Sequence, residues 1–411
     1  GCFLAIELLR ENPNLKIIII DKGNHKRKKI GESCSDLTGL YLNDRLDSNL
    51  LDKQILKSGL RFMFEQGDEF RSPILPGSVK TYQINRNEFD NEILTLATEL
   101  GAEFLDECYI ESFEEQDEFN TNIVLKCNEL TKTINTKWFV DCSGRTRFLQ
   151  KKFNWMENNC PLNTASSWVY LSGVDNNWDV DKDNDWGSFA VALSENATTH
   201  FMGKGYWCWF FPINDGSSTL GIVYDKNFFK ENAPKEIFES ISQQNPHVSK
   251  ILSTANIEEY YHLGNLAYAP RQMCRPGFLT VGDSAGFTDP LFSSGIELSI
   301  QQVLNFKDCL IDYFDTNILD QKKWNDTQKV FTQVLNERLY VFRDRYRIMH
   351  DYDVFINWTQ LDMLGYFIFH VIPCRYYFNW LKKPIKFNIL SKPLYQLVTW
   401  RYQKIVQAKE G

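Results

Sequence analysis

The chain has 411 residues, with 45 Lys and Arg against 53 Asp and Glu, so its formal net charge is −8. A chain of this length can bury a large core and usually forms more than one domain. The acidic balance argues against a nucleic-acid partner, which would need a basic face. The apolar run at 363–373 is too short to span a bilayer, so we predict no transmembrane segment.

The cysteines and histidines give no sign of a metal site. The ten Cys form no C-x-x-C pair, and the six His are scattered. We therefore predict no bound metal, and reduced thiols of the kind found in a cytoplasmic protein. Aromatic residues make up 14% of the chain, which allows an aromatic-lined pocket although most of these rings are expected to lie in the core.

The chain begins with a helical pattern followed by a β-branched strand. Apolar residues recur at helical spacing over 3–9, and the strand at 15–20 ends in Asp21. This order matches the second half of a βαβ nucleotide-binding unit, with Gly1 as the last glycine of a G-x-G-x-x-G loop and the first strand missing. Asp21 would then accept hydrogen bonds from a ribose, although a strand-end Asp in a turn is an equally good interpretation.

Helices and strands of both periodicities follow. In chain order we predict a helix at 87–100 closed by Gly101, a strand at 102–105, β-hairpins at 108–140, an antiparallel sheet at 163–225, a short buried strand at 278–281, and helices after about residue 294. The predicted class is α/β (α+β), with the antiparallel sheet inserted into a Rossmann-like nucleotide-binding domain.

A second nucleotide signal lies at 278–290, FLTVGDSAGFTDP, where a strand runs directly into Gly282 and Asp283. Gly282 lets the backbone approach a ligand, and a helix start nearby favours negative groups. Together with Asp21, INRNEFD at 84–90 and DCSGR at 141–145, this segment resembles the FAD-binding domain of the p-hydroxybenzoate hydroxylase superfamily. The resemblance implies FAD as a tightly held cofactor. The residues assigned to it are Gly1, Asp21, Ser33, Arg86, Gly282, Asp283, Gly286 and Ile296.

Three further segments resemble flavin-dependent halogenases. GYWCWFFP at 205–212 is similar to their W-x-W-x-I-P signature, although it also suits a strand with both faces buried. KSGLRF at 57–62 is similar to the segment that carries their active-site lysine, although Lys57 alone reads as an ordinary solvated lysine. DPLFSSGIEL at 289–298 is similar to the D-P-x-F-S-S-G segment of the branch acting on phenols and pyrroles. All three occur in the family's order, so the chain is identified as a member of this branch.

The resemblance assigns roles to individual residues. Lys57 is the catalytic lysine, expected to follow a helix and to project into the substrate cavity. The halide would be held by Ser293, Ser294 and Gly295 at a helix start. The substrate pocket would be lined by Trp207, Trp209, Phe211 and Phe292. Phe292 stands where the tryptophan-specific members have a Glu, and Glu297 stands where many relatives of the phenolic type have His.

The resemblance also implies the reaction and its participants. A separate flavin reductase supplies FADH2, O2 adds to give a flavin C4a-hydroperoxide, and chloride or bromide attacks it to form hypohalous acid. Lys57 then passes the halogen to an electron-rich phenol or pyrrole, which is either free or tethered to an acyl or peptidyl carrier protein. Two alternatives stay open on the same scaffold. One is an aromatic hydroxylase or a geranylgeranyl-reductase-like reductase, and the other is a catalytically inactive flavoprotein.

The implied domain organisation has three parts. Residues 1–150 and 270–310 form the FAD-binding domain, 151–269 form the substrate domain, and 311–411 form a helical region that closes the substrate pocket. The aromatic segment at 366–380 fits either core packing or a surface for a carrier protein or membrane.

Overall fold

The computed structural model describes residues 1–23, 29–46, 48–73, 78–157, 159–175, 194–230, 232–372 and 404. The helices are α1 (Cys2–Glu11), α2 (Asp36–Arg45), α3 (Ser48–Leu51), α4 (Arg86–Glu99), α5 (Phe148–Lys152), α6 (Pro234–Gln244), α7 (Pro246–Thr254), α8 (Ser294–Thr316), α9 (Gln321–Phe342) and α10 (Tyr352–Tyr366).

The strands fall into sheets of two, three and seven members. They are β1 (Ile18–Ile20), β2 (Ile55–Leu56), β3 (Gly59–Phe64), β4 (Glu69–Pro73), β5 (Tyr82–Gln83), β6 (Glu103–Leu105), β7 (Cys108–Asp117), β8 (Asn120–Cys127), β9 (Leu130–Thr136), β10 (Phe139–Asp141), β11 (Thr164–Ser172), β12 (Thr198–Gly203), β13 (Tyr206–Pro212), β14 (Ser218–Asp225), β15 (Asn256–Leu263), β16 (Cys274–Arg275) and β17 (Phe278–Thr280). The predicted α/β (α+β) class is confirmed.

Short parallel pairs form the part of the fold that is predicted to bind the nucleotide. Strand β1 pairs in parallel with β6, and β10 pairs in parallel with β17. Helix α1 packs against α4 and α8, and its buried apolar side chains account for the periodicity seen in the sequence. Helix α4 is capped by Asn85, whose side chain accepts from the Glu88 N–H. The chain leaves the helix through Gly101, which has φ +113°.

The largest sheet among the described residues has seven strands in the order β15-β11-β14-β13-β12-β3-β4, and we call it the central sheet. Its neighbours are antiparallel except β12 and β3, which pair in parallel. Residues 59–73 therefore belong to this sheet, although the predicted boundary at 151–269 leaves them out. The pairing of β3 with β12 joins segments that are far apart in the chain, and a local sequence pattern cannot predict which strand pairs with β3. The domain boundaries themselves stay a prediction.

Both faces of this sheet are covered. Along β13 the side chains of Trp207, Trp209 and Phe211 pack into a cluster that includes side chains from α9 and α10. The alternate residues Tyr206, Cys208 and Phe210 pack into a second cluster with side chains from α6 and α7. A strand buried on both faces has a continuous apolar sequence, which explains why GYWCWFFP carries no polar alternation.

Two cysteines depart from the expectation of reduced thiols. Cys108 and Cys127 lie opposite each other on β7 and β8 and form a disulfide. The expectation was wrong here because strand register, which the sequence does not reveal, brings the two residues together. The cytoplasmic location that rested on it stays a prediction.

Beyond residue 372 the structure describes only residue 404. Within the aromatic stretch predicted at 366–380, Val371 is buried, whereas Phe367, Ile368 and Ile372 are exposed. Residues 373–380 lie outside the described residues, as does most of 381–411. No helix in the described part of the chain has the length and apolar character needed to cross a membrane.

Candidate functional site

The Gly-Asp segment follows β17 in a tight turn. Gly282 has φ +69°, in the left-handed region, and a Cβ there would lie 3.0 Å from the Ser299 hydroxyl. Its N–H donates to Oε1 of Gln302 at 2.8 Å, and Nε2 of Gln302 donates to the Thr280 carbonyl at 2.6 Å. Helix α8 thereby holds the turn in a conformation that suits glycine.

A small cleft opens beside this turn. It is lined by Gly282, Asp283, Gly286, Phe287, Thr288, Ser294, Gly295, Leu298, Ser299, Gln302, Phe331 and Leu335. The structure thus brings three of the residues assigned to the cofactor together with two of those assigned to the halide. The lining of the cleft as a whole comes from the segment 282–288 after β17, from α8 and from α9.

The segment leading into α8 is tightly turned. The Ser293 N–H donates to the Pro290 carbonyl at 2.9 Å, and Ser293 itself lies at φ +57° before the helix begins at Ser294. The first N–H groups of a helix have no partner within the helix, and the helix dipole makes this end electropositive. Ser294 and Gly295 occupy the first turn of a 23-residue helix at the edge of the cleft, where they could hold an anion.

Arg86 and Asp283 form the charged side of the site. Arg86 makes a two-point ion pair with Asp90, at 2.9 Å and 3.0 Å, and donates to the Gly31 carbonyl at 3.2 Å. Burial raises the pKa of Asp283, and the guanidinium groups of Arg145 and Arg86 partly oppose that rise. Arg86 therefore lies close enough to Asp283 for the two charges to interact.

Glu32 is a residue that the sequence reasoning did not single out. It is buried, accepts hydrogen bonds from the Gly31 N–H at 2.7 Å and the Tyr170 hydroxyl at 3.0 Å, and lies within electrostatic range of Arg86. Burial raises the pKa of this carboxyl to about 7. The available signal was its position in GES at 31–33, directly before Ser33.

Lys57 is buried, with 4% of its surface exposed, so it is not the ordinary solvated lysine that the sequence left open. Its Nζ donates to Ser33 Oγ at 2.9 Å and to the Cys34 carbonyl at 3.1 Å. Burial lowers the pKa of the amine to about 8, although the nearby Asp36 carboxylate acts in the opposite direction. Lys57 follows β2 and not a helix, which corrects the expected local structure.

Polar groups surround Lys57 on the side of the central sheet. Ser33 Oγ lies 2.9 Å from Thr198 Oγ1, which also accepts from Nε2 of Gln83 at 2.8 Å. Three further buried polar atoms in this neighbourhood have no hydrogen-bond partner among the described residues: Ser58 Oγ, Thr81 Oγ1 and Gln83 Oε1. Buried polar groups are normally paired, so these atoms fit a small polar guest beside the lysine. Ser33, assigned to the cofactor, is in contact with Lys57.

Phe292 lies among aromatic rings. Its ring centroid is 6.4 Å from Phe62, 6.2 Å from Phe342 and 6.1 Å from Trp358. The ring is only partly buried, so Phe292 remains a candidate for the wall of a substrate pocket.

The other three predicted pocket residues are core side chains. Trp207, Trp209 and Phe211 are each less than 8% exposed, and none of them lines the cleft described above. The indole N–H groups of both Trp residues have protein partners: that of Trp207 donates to the Tyr346 hydroxyl and that of Trp209 to Thr219 Oγ1. These contacts fit the alternative of a strand buried on both faces, and the place of the three residues in a substrate pocket stays a prediction.

Three remaining cofactor candidates lie away from the lining of the cleft. Gly1 precedes α1, beside Cys142. Asp21 follows β1, where its N–H donates to the Leu105 carbonyl at 3.0 Å. Ile296, in the first turn of α8, packs against the core formed by α1, α2 and α4.

Comparison with known families identifies the class of protein. The family described as tryptophan halogenase matches residues 44–344, well over half of the chain, and the chain belongs to this family. This family places it among the flavin-dependent halogenases, which are enzymes of the oxidoreductase type.

The individual relatives compared below share only about a quarter or less of their residues with this chain. The chain is 24% identical over 326 residues to a 1H-pyrrole-2-carbonyl-[peptidyl-carrier protein] brominase of Pseudoalteromonas luteoviolacea, a match that covers 77% of this chain and 76% of the brominase. It is 26% identical over 337 residues to the flavin-dependent halogenase armH1 of Armillaria mellea, covering 73% of this chain but only 60% of that protein. The crystal structure of halogenase PltM in complex with phloroglucinol and FAD has the same fold, with a TM-score of 0.81 at 16% identity over 100% of this chain and 90% of PltM.

Proposed function

We propose that this protein halogenates an electron-rich aromatic compound, with FAD as its cofactor and Lys57 as the group that delivers the halogen. The observation that carries the proposal is the buried Lys57 amine, whose Nζ is held by Ser33 and the Cys34 carbonyl. An isolated lysine is rarely buried without a role, because burial penalises its charge.

The residues around the cleft fit FAD. Gly282 offers a backbone surface without a side chain, and Asp283 offers a carboxylate beside Arg86 and Arg145. The carboxylate of Asp283 could accept from hydroxyl groups of the cofactor, while Arg86 balances its charge. When bound and reduced, FAD supplies the activation of O2 that makes a halide electrophilic. A separate flavin reductase would deliver the reduced cofactor.

The start of α8 would hold chloride or bromide. Backbone N–H groups at Ser294 and Gly295 supply donors without a bound cation. Glu297 lies in the same turn, but Arg338 donates to its Oε1 at 2.6 Å and the Tyr366 hydroxyl to its Oε2 at 2.9 Å. These contacts offset the negative charge that would otherwise repel a halide.

Lys57 would act on the hypohalous acid. With a pKa near 8, a large fraction of the amine is still protonated at neutral pH and can donate a hydrogen bond to it. Ser33 and the Cys34 carbonyl each accept one of its hydrogen bonds and so orient the remaining one. The same lowered pKa also gives access to the neutral amine, which is the nucleophilic form.

Phe292 favours a substrate that is activated by its own substituent. A phenylalanine can neither accept a proton nor orient an N–H group, so a phenol hydroxyl or a pyrrole nitrogen would have to supply the electron density. The relatives agree with this class, since one is named for a pyrrole held on a carrier protein and PltM was crystallised with phloroglucinol. The substrate would be either a free aromatic or one tethered to a carrier protein.

The test combines reduced FAD, O2, bromide and a panel of phenols and pyrroles, with products identified by their bromine isotope pattern. We expect brominated product from the wild type and none from Lys57→Ala, while FAD binding and oxidation of reduced FAD continue. Lys53→Ala is the matched control because Lys53 lies nearby in the same segment and is 53% exposed. Brominated product from Lys57→Ala at the wild-type rate would refute the proposal, and a gain of oxygen without bromine would indicate a hydroxylase.

A further inference from the structure

Asp289 opens the segment that leads into α8, and it is held from two directions. Its side chain is 1% exposed. Oδ1 accepts a hydrogen bond from the Leu291 N–H at 3.0 Å, and Oδ2 accepts one from the Tyr346 hydroxyl. One of these hydrogen bonds lies within the segment, and the other joins the segment to Tyr346, which lies between α9 and α10.

Tyr346 is in turn tied to the central sheet. It is fully buried, and its hydroxyl accepts a hydrogen bond from Nε1 of Trp207 at 3.1 Å. Its carbonyl accepts from the Gly205 N–H at 2.9 Å, in the turn between β12 and β13. The line of contacts thus runs from the first Trp of W-x-W-x-F-P, through the C-terminal helices, to the segment before α8.

We propose that the hydrogen bonds from Trp207 through Tyr346 to Asp289 fix the backbone that presents Ser294 and Gly295 to the cleft. Trp207 is then a positioning residue for the halide and not a wall of the substrate pocket. The halide part of this inference rests on the function proposed above.

The energetics explain why the segment needs such a support. Ser293 has φ +57°, a conformation that costs free energy for a residue other than glycine and persists only where the surroundings impose it. The Asp289 carboxylate lies in the interior, near Arg345, and removing one of its donors would leave a buried oxygen without a partner. The apolar side chain of Leu291, fully buried, is the other anchor of the segment.

Trp209 provides a matched comparison. It lies two residues along β13, on the same face, and its Nε1 donates to Thr219 Oγ1 at 3.2 Å. Thr219 belongs to β14 and not to the segment at 289–295. Replacing either Trp by Phe removes one indole N–H and similar volume, but only Trp207→Phe breaks a link to that segment.

The first measurement is hydrogen–deuterium exchange of the amides at 291–295 in the protein without FAD, so that no activity is needed. We expect Tyr346→Phe to exchange at least about fivefold faster than the wild type, which corresponds to the loss of roughly one buried hydrogen bond. Trp207→Phe should show a smaller increase, and Trp209→Phe should match the wild type at these amides. Wild-type exchange in Tyr346→Phe, or equal effects of the two Trp replacements, would overturn the proposal.

A second variant guards against misfolding. Asp289→Ala removes both oxygens that accept from the Leu291 N–H and the Tyr346 hydroxyl, and we expect the same faster exchange at 291–295. If Tyr346→Phe does not fold, Asp289→Ala decides the question, since wild-type exchange in that variant would refute the support we assign to Asp289.

The halide dependence completes the test. In Tyr346→Phe the bromide concentration for half-maximal product formation should rise about fivefold or more, because the anion site loses its fixed backbone, while the Kd for FAD stays within about twofold. Faster exchange with an unchanged bromide requirement would overturn the link to the halide. A wild-type protein that forms no bromide-dependent product would refute the proposed function instead, and the exchange data would still decide whether the segment is held in this way.

Discussion

Burial of Lys57 gives its amine the lowered pKa that the proposed reaction uses, and it also costs the folded protein stability. Its amine is buried, and the surrounding protein lowers its pKa from 10.5 to about 8. Desolvation dominates this shift, because the nearby carboxylate of Asp36 acts in the opposite direction. A group whose charged form is disfavoured by folding destabilises the native state wherever the unfolded chain would carry that charge.

The first prediction concerns stability and pH. Because the folded pKa lies below the unfolded value, the penalty is full below pH 8 and fades as the pH rises from about 8 to 10.5. Lys57→Met removes this pH-dependent penalty, so the free energy of unfolding of the variant relative to the wild type should fall by about 2–3 kcal/mol between pH 7 and pH 10, whatever the two lost hydrogen bonds cost. Urea unfolding at both pH values measures this change, and a relative stability that does not change with pH would contradict the role of burial.

The second prediction concerns activity and pH. If the protonated amine of Lys57 holds the hypohalous acid, the rate of product formation falls as the pH rises through about 8. The two hydrogen bonds that Nζ donates favour this role, so the fall is the expected result. Single-turnover halogenation between pH 6 and 10, with reduced FAD supplied chemically, measures it. A rate that rises over the same range would instead indicate a haloamine formed on the neutral amine.

At the scale of elements, the start of α8 links packing with anion binding. Gly295 has open space around it, since a Cβ would lie 3.7 Å from the Phe287 ring, an ordinary contact distance. A methyl group therefore fits, and alanine also favours a helix more than glycine does. The branched carbons of a valine would extend into the cleft that Gly295 lines.

The third prediction follows from this space. We expect Gly295→Val to raise the bromide concentration for half-maximal product formation by about tenfold, whereas Gly295→Ala changes it little. Oxidation of reduced FAD should continue in both variants. Titration with bromide at saturating phenol measures the effect. An unchanged bromide dependence in Gly295→Val would mean that the halide is bound away from this helix start.

At the scale of the whole molecule, the site is assembled from segments that are distant in the chain. Lys57 reaches Ser33, and Ser33 reaches Thr198, which lies next to β3 through the parallel pairing of β12. The cleft combines the turn after β17 with residues from α8 and α9. A cofactor bound here would contact several elements at once and should therefore stabilise the whole fold.

The fourth prediction tests that coupling. FAD that binds only the native state should raise the free energy of unfolding by about 2.7 kcal/mol at a concentration of 100 times its Kd. Gly282→Val should lose most of this gain, because a Cβ there would lie 3.0 Å from the Ser299 hydroxyl in a turn at φ +69°. Gly101→Val is the control, since it carries a positive φ at an exposed turn with nothing near its Cβ. Equal gains in wild type and Gly282→Val would place FAD elsewhere.

Local patterns were sufficient for the elements that their own residues encode. The helix at 87–100 was predictable from apolar spacing with Gly101 at its end, and the structure has α4 at Arg86–Glu99. The Gly-Asp turn was predictable because few residues other than glycine adopt its backbone conformation. The roles of the β13 side chains were not predictable, because an apolar strand has the same sequence pattern whether its rings line a pocket or fill a core.

The sequence by itself determined the family, the α/β class, and the residues from which a site could be built: Lys57, the Gly-Asp turn and the segment before α8. These features depend on residue types that lie a few positions apart in the chain, so they can be recognised without knowledge of the fold. Only the tertiary structure decided that Lys57 is buried against Ser33, that Glu32 lies beside Tyr170, and that Trp207 is joined through Tyr346 to Asp289. Each of these contacts depends on strand register and helix packing between segments far apart in sequence. Burial, partners and pKa follow from that packing, because they are properties of the surroundings of a side chain and not of its identity.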